Sequence, residues 1–142
     1  MNGIYILLYH RVNPGEKNLL NVTPERFEKH LWYVKKSGFK TIDTKDLWEI
    51  HRSGNYPQKA IMITFDNGWL DFWVYAFPLL KKFSLKAVLF VMTGFVGNGL
   101  KRKTSAEGYR VPLLITYDKS IELLKQGRHA EVMVSWEELR EM

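Results

Sequence analysis

Four short apolar runs, separated by stretches of helical periodicity, limit the folds open to this sequence. Ile4-Tyr5-Ile6-Leu7-Leu8-Tyr9, Phe39 to Ile42, Lys59 to Phe65 and Lys86 to Thr93 alternate with amphipathic segments. The first, third and fourth are nearly continuous in β-branched and aromatic residues, as strands buried on both faces read. Thr23-Pro24 supplies an N-cap and a first-turn proline, Phe27, Leu31 and Val34 share one helical face, and Gly38 is a stop. Thr44 is expected to cap a second helix carrying Leu47 and Ile50 and ending at Gly54. Asp71 is expected to cap a third, which Pro78 should kink or restart. Strand and helix alternating in this order predict parallel βαβ units and an α/β fold.

Length then bounds the architecture. A closed eight-fold β/α barrel takes about 200 to 250 residues, and this sequence has 142. With 46% apolar and 25% charged residues, the composition is that of a folded globule, which excludes disorder and collagen. No apolar run approaches the roughly 20 residues of a membrane-spanning helix. Met1-Asn2-Gly3 leads straight into a strand without a basic leader, so a cytoplasmic location is expected. The absence of cysteine excludes disulfides and thiol chemistry, and leaves His, Asp and Glu as candidate metal ligands. A net charge of +6 raises nucleic acid as a partner. The excess is spread over both halves, with only Lys101-Arg102-Lys103 clustered, so it reads as solvated surface rather than a nucleic-acid interface.

Toward the end, Gly94 to Pro112 reads as a long loop and Asp118 to Gln126 as a short helix. Ser135-Trp136-Glu137-Glu138 has the form of a capping box, so a last helix begins near Trp136. The sequence is expected to stop inside that helix.

The window Ile61-Met62-Ile63-Thr64-Phe65-Asp66-Asn67-Gly68-Trp69 places an acidic residue at the C-terminal edge of a buried strand. In parallel α/β sheets that edge gathers ligands and catalytic groups. The alternative reading is a plain turn, with Asn67-Gly68 supplying positive φ angles. Asn67-Gly68 is also a dipeptide prone to deamidation. Of the four histidines, His10 lies at the equivalent edge of the first strand, which makes it an active-site candidate against strand-end packing. His30, His51 and His129 read as structural or uninformative. Trp69, beside the Asp-Asn-Gly step, is the one member of an otherwise core-like aromatic cluster that is a candidate for stacking on a sugar ring.

These residues carry a resemblance to the polysaccharide deacetylases with a NodB homology domain, carbohydrate esterase family 4. The similarity runs in order through Leu8-Tyr9-His10-Arg11, Val22-Thr23-Pro24-Glu25-Arg26-Phe27-Glu28 and Gly38-Phe39-Lys40-Thr41-Ile42. It continues in Ile63-Thr64-Phe65-Asp66-Asn67-Gly68, Tyr75 to Phe83, Lys86 to Val91 and Ser135 to Arg140. The resemblance implies a distorted β/α barrel, here an incomplete half-barrel formed by the N-terminal part of the domain over 1–142. It also implies metal-dependent deacetylation of N-acetylated polysaccharide or oligosaccharide, with a divalent metal such as zinc. In that family the motif is Thr-Phe-Asp-Asp-Gly, so Asp66 matches the general base and Asn67 stands where the metal-ligating second Asp belongs. The ligand pair His-Ser/Thr-x-x-x-His would follow Arg140 and is not reached by residue 142. Weak or absent metal binding and impaired activity are therefore expected of these 142 residues in isolation. The rival expectation is a non-catalytic half-barrel that associates with itself or a partner through an exposed sheet edge.

Overall fold

The computed structural model describes residues 3–15, 18–112 and 116–142. Met1 and Asn2, which open the segment read for a leader, lie outside them. Among the described residues there are six strands: β1 (Ile4–Tyr9), β2 (Arg11–Val12), β3 (Asn21–Val22), β4 (Lys40–Thr41), β5 (Ala60–Asn67) and β6 (Val88–Val91). Five α-helices accompany them: α1 (Pro24–Lys36), α2 (Thr44–Ser53), α3 (Phe77–Phe83), α4 (Tyr117–Lys125) and α5 (Trp136–Glu141).

The expected parallel α/β architecture is what forms. β5 is the central strand, paired in parallel with β1 along Ala60–Phe65. Its other edge is shared: β4 takes Ala60 and Ile61, and β6 takes Thr64 to Asn67. β2 and β3 make a separate two-residue parallel ladder. Alternation along β5 divides the sheet into two faces. Ile63 and Phe65 point into the main core with Phe27 and Leu31 of α1 and Leu80 of α3. The opposite face carries Met62, Thr64 and Asp66. Its lower end is covered by Leu47 and Ile50 of α2, packed against Ile42, Ala60 and Met62. Its upper end is open, with Ile6, Leu8 and Phe90 left 63%, 57% and 54% exposed.

That openness corrects the reading of the first and fourth strands as buried on both faces. Among the described strands of the main sheet only β5 has neighbours on both edges, so of these only β5 is buried along nearly its whole length. Local signals were otherwise shifted by a residue or two. Asp43, not Thr44, caps α2, forming a reciprocal box with Asp46. α4 starts at Tyr117, one residue ahead of the expected Asp118, with Thr116 as its cap. The Thr23 and Ser135 caps form as the sequence indicates, as do the left-handed stops at Gly38 and Gly54. Pro78 restarts its helix through a π-turn over Phe72–Ala76, because the ring lacks the N–H that a continuous α-ladder needs.

Asp71 is the clearest reassignment. It makes no capping hydrogen bond; its carboxylate instead accepts from Arg11 Nε at 2.5 Å, with both residues buried at 1–2% exposure. Arg11 also donates to Ser120 Oγ at 3.3 Å and lies 5.5 Å from the Trp69 ring centre. This pair ties the end of β1 to the start of the π-turn helix across 60 residues of sequence. Lys101-Arg102-Lys103 likewise is not simply a solvated loop. Arg102 donates to the buried Glu138 through Nε and Nη2, and to the carbonyls of Ala130 and Met133. Loop and last helix are thereby fastened to one another. No helix among the described residues is long and apolar enough to cross a membrane.

Arg11→Met should destabilise the protein by about 3–5 kcal/mol in urea unfolding, because Asp71 is left charged and buried. The double variant Arg11→Met, Asp71→Leu should recover most of that loss. A pH dependence is also expected. Half-buried His30 holds Tyr9 Oη at 3.0 Å, and burial, aided by Arg26, pushes its pKa below 6.5. Its contribution is complete above the unfolded value and is lost as pH falls through the lower folded one. The urea midpoint should therefore drop on acidification from about pH 7.5 to about pH 5, and His30→Gln should flatten that slope.

Candidate active site

β1 and β5 run side by side, and their last paired residues are Tyr9 and Phe65. His10 and Asp66 follow immediately, so both emerge at the same C-terminal rim of the sheet. Asp66 is half-buried and faces the open side that carries Leu8 and Phe90, its own ladder partner on β6 being Phe90. The carboxylate sits between a buried central strand and an accessible apolar surface, which is where a proton acceptor for a bound substrate can work.

Asn67 ends the strand with φ +78°, and Gly68 follows at φ +80°. Two successive left-handed residues turn the backbone sharply away from the sheet, so the turn reading and the strand-end reading of Asp66-Asn67-Gly68 both hold. Glycine is required at 68 for a second reason. A Cβ there would lie 2.9 Å from Val91 Cγ1 and 3.5 Å from Val134 Cγ2. The turn is clamped from outside. Val134 N–H donates to Gly68 O at 3.0 Å, Leu70 N–H to Val132 O at 2.7 Å, and Met92 N–H to Asn67 O at 3.2 Å.

The Asn67 side chain reaches across to β1. Its Oδ1 lies 3.4 Å from His10 Nδ1, and its Nδ2 points to Met92 Sδ at 3.7 Å, a weak acceptor. His10, Asp66 and Asn67 are therefore brought to one rim as the strand register requires. His10 is held there because its neighbour Arg11 is locked into the buried pair with Asp71. Met92 and Arg11 are participants that sequence reading missed. Arg11 had a local signal, a cation directly beside the candidate histidine, but its partner lies 60 residues away.

Trp69 does not take the expected position. It is 1% exposed, bridges to Met133, and packs in a second core with Leu123, Leu124 and Val132. Its ring makes an edge contact with Tyr117 at 5.9 Å, and Arg11 lies over it. The backbone has just turned inward through two left-handed residues, which sends the indole under the rim rather than onto it. No ring face is offered to a sugar.

A metal centre is not assembled by these residues. Among the described residues no three of His, Asp and Glu converge as metal ligands. Asn67 brings no charge, and its oxygen faces a histidine rather than open space. The donors that the rim presents are the Asp66 carboxylate, the His10 imidazole and the neutral Asn67 amide.

Comparison with known proteins bears on the family and the fold. Residues 53–142 match the polysaccharide deacetylase family. A Bacillus subtilis (strain 168) protein named as a polysaccharide deacetylase, YxkH, is 33% identical over 94 residues, covering 66% of this chain and 33% of its own length. The poly-beta-1,6-N-acetyl-D-glucosamine N-deacetylase of Staphylococcus epidermidis is 26% identical over 159 residues, covering 94% of this chain and 54% of its own. Among solved structures, IcaB from Ammonifex degensii superposes with a TM-score of 0.62 at 26% identity, over 89% of this chain and 50% of that one. The sequence thus spans between a third and about half of the length of these three relatives. Its open parallel sheet is the corresponding part of their fold, a half-barrel with Asp66 on its rim. With the motif window at the end of its central strand and the family match running through it, this protein belongs to the polysaccharide deacetylase family.

Proposed function

We propose that these residues supply the proton-accepting half of an N-deacetylase site that acts on N-acetylated polysaccharide, and that alone they have little or no activity. The observation that carries this is Asp66 at the C-terminal end of a parallel strand, inside the segment matched to the family. Hydrolysis of an acetamide needs water to attack the carbonyl, and a carboxylate at the rim accepts the proton that water loses. The name of the Staphylococcus epidermidis relative gives the substrate class, a β-1,6-linked N-acetylglucosamine polymer. The low activity in isolation follows from the donor set. Asn67 and His10 do not by themselves make a metal site, and the step assigned to this half is the proton transfer to Asp66 alone.

Two measurements test the reading. Zinc titration of the purified protein should show no stoichiometric site; one site of micromolar or tighter affinity would overturn the incomplete centre. Joined to the remaining half of the Staphylococcus epidermidis relative, the protein should release acetate from N-acetylglucosamine oligomers. Asp66→Asn in that fusion should lower the rate by about 10²–10⁴-fold. An unchanged rate would remove Asp66 from the reaction.

A second reading is supported by Ile6, Leu8 and Phe90, which leave an apolar surface open on the half-barrel face. It is that the protein associates, with itself or with a partner, to cover that surface. Sedimentation at rising concentration should then show reversible dimerisation that Leu8→Lys weakens. A strict monomer throughout would end this reading.

A further inference from the structure

Asn67 is the amide among the three side chains brought together at the rim, and its surroundings are those of a reactive one. The next residue is glycine, which has no side chain of its own to hinder approach of its nitrogen to Asn67 Cγ. The Asn67 side-chain oxygen lies 3.4 Å from His10 Nδ1; in the tautomer with its hydrogen on Nδ1, the ring donates to that oxygen and polarises the carbonyl toward attack. The amide nitrogen, the leaving group, has the thioether of Met92 at 3.7 Å. No strong acceptor among the described residues holds it.

We propose that Asn67 is a self-modification site, converted to aspartate while the protein is folded. The Gly68 nitrogen attacks Asn67 Cγ; a new C–N bond forms, and the bond from Cγ to Nδ2 breaks. The proton from the Gly68 amide leaves with the departing nitrogen as ammonia, and a cyclic imide remains. Water then opens the ring, so the net change is amide plus water to carboxylic acid plus ammonia. Opening of the bond from Cγ to the Gly68 nitrogen frees Cγ as a carboxylate, leaves the original peptide bond in place and yields aspartate. Opening at the backbone carbonyl yields isoaspartate and inserts an extra backbone atom between residues 67 and 68.

Ring closure rotates the 67–68 peptide, so it proceeds as the Met92 and Val134 bonds to this turn open locally, and their re-formation disfavours the second outcome. Asn67 O accepts from Met92 N–H, and Gly68 O accepts from Val134 N–H. Gly68 itself is wedged against Val91 and Val134. A longer backbone between these two fixed carbonyls would break one of the bonds. Aspartate also tolerates the left-handed φ of position 67 about as well as asparagine does. The product is therefore a carboxylate facing His10 with the turn intact. Residues 10, 67, 68 and 92 suffice for this conversion, whatever substrate the rim serves.

An internal comparator is available. The sequence repeats the dipeptide at Asn2-Gly3 and at Asn98-Gly99, and the comparator is Asn98-Gly99, in the exposed loop. Ageing the folded protein at neutral pH, followed by peptide mapping, should show a gain of about 1 Da at both sites. At Asn67 the product should be mainly aspartate, and at Asn98 mainly isoaspartate. In urea the two sites should give the same mixture. His10→Leu should slow conversion at Asn67 several-fold without changing Asn98, and His10→Gln, which keeps an N–H donor, should restore much of the rate. The proposal is overturned if Asn98 converts while Asn67 keeps its amide, or if the folded protein gives at Asn67 the same mixture as in urea. An equal rate at Asn67 in His10→Leu, with the fold intact by circular dichroism, would remove the histidine from it.

Discussion

Every ladder of the main sheet passes through β5. Its apolar run Ala60 to Phe65 is paired by β1 on one edge and by β4 and β6 in turn on the other. Burial of Ile63 and Phe65 against α1 and α3 holds the outer face, and α2 covers only the lower inner face. The strand is therefore fixed along its length and ends abruptly at Asp66 and Asn67. The chemistry open to the protein depends on that ending, because parallel register delivers His10 to the same rim.

Beyond the rim, the turn is kept by long-range polar contacts rather than by local preference alone. Arg11 and Asp71 join the strand end to the helix that leaves the turn. Residues 132 to 134 hold Gly68 and Leu70 from the other side, and Arg102 fastens that segment to Glu138. Buried charges are costly when unpaired, so each of these pairs makes a partly formed state unfavourable and narrows the conformations available to Asp66 and Asn67. The same rigidity that positions the carboxylate also governs how the Asn67 imide opens.

The open inner face gives the molecule a second character. Ile6, Leu8 and Phe90 lie on the same face as Asp66, on a surface that in a full-length relative belongs to a larger fold. An apolar surface of this kind is unfavourable in water. It links the proposed catalytic role and the proposed association, since covering the face and enclosing the rim are one physical event.

Much of this was legible in the residues themselves. Alternating apolar runs and capped amphipathic segments determined the parallel α/β order, the strand that ends in Asp66, and the family. These signals are local, set by side-chain periodicity and by the backbone demands of Thr23, Ser135, Gly38 and Gly54. Other features depended on contacts between distant residues. Asp71 looked like a cap until Arg11 met it from 60 residues away. Trp69 looked exposed beside its motif until the left-handed pair at 67 and 68 turned it into the core. The first and fourth strands looked buried because composition records how apolar a strand is, while only its neighbours decide whether that surface is covered. Sequence alone determined which residues reach the rim; the tertiary structure decided which of them face solvent, because burial belongs to pairs of segments and not to either one.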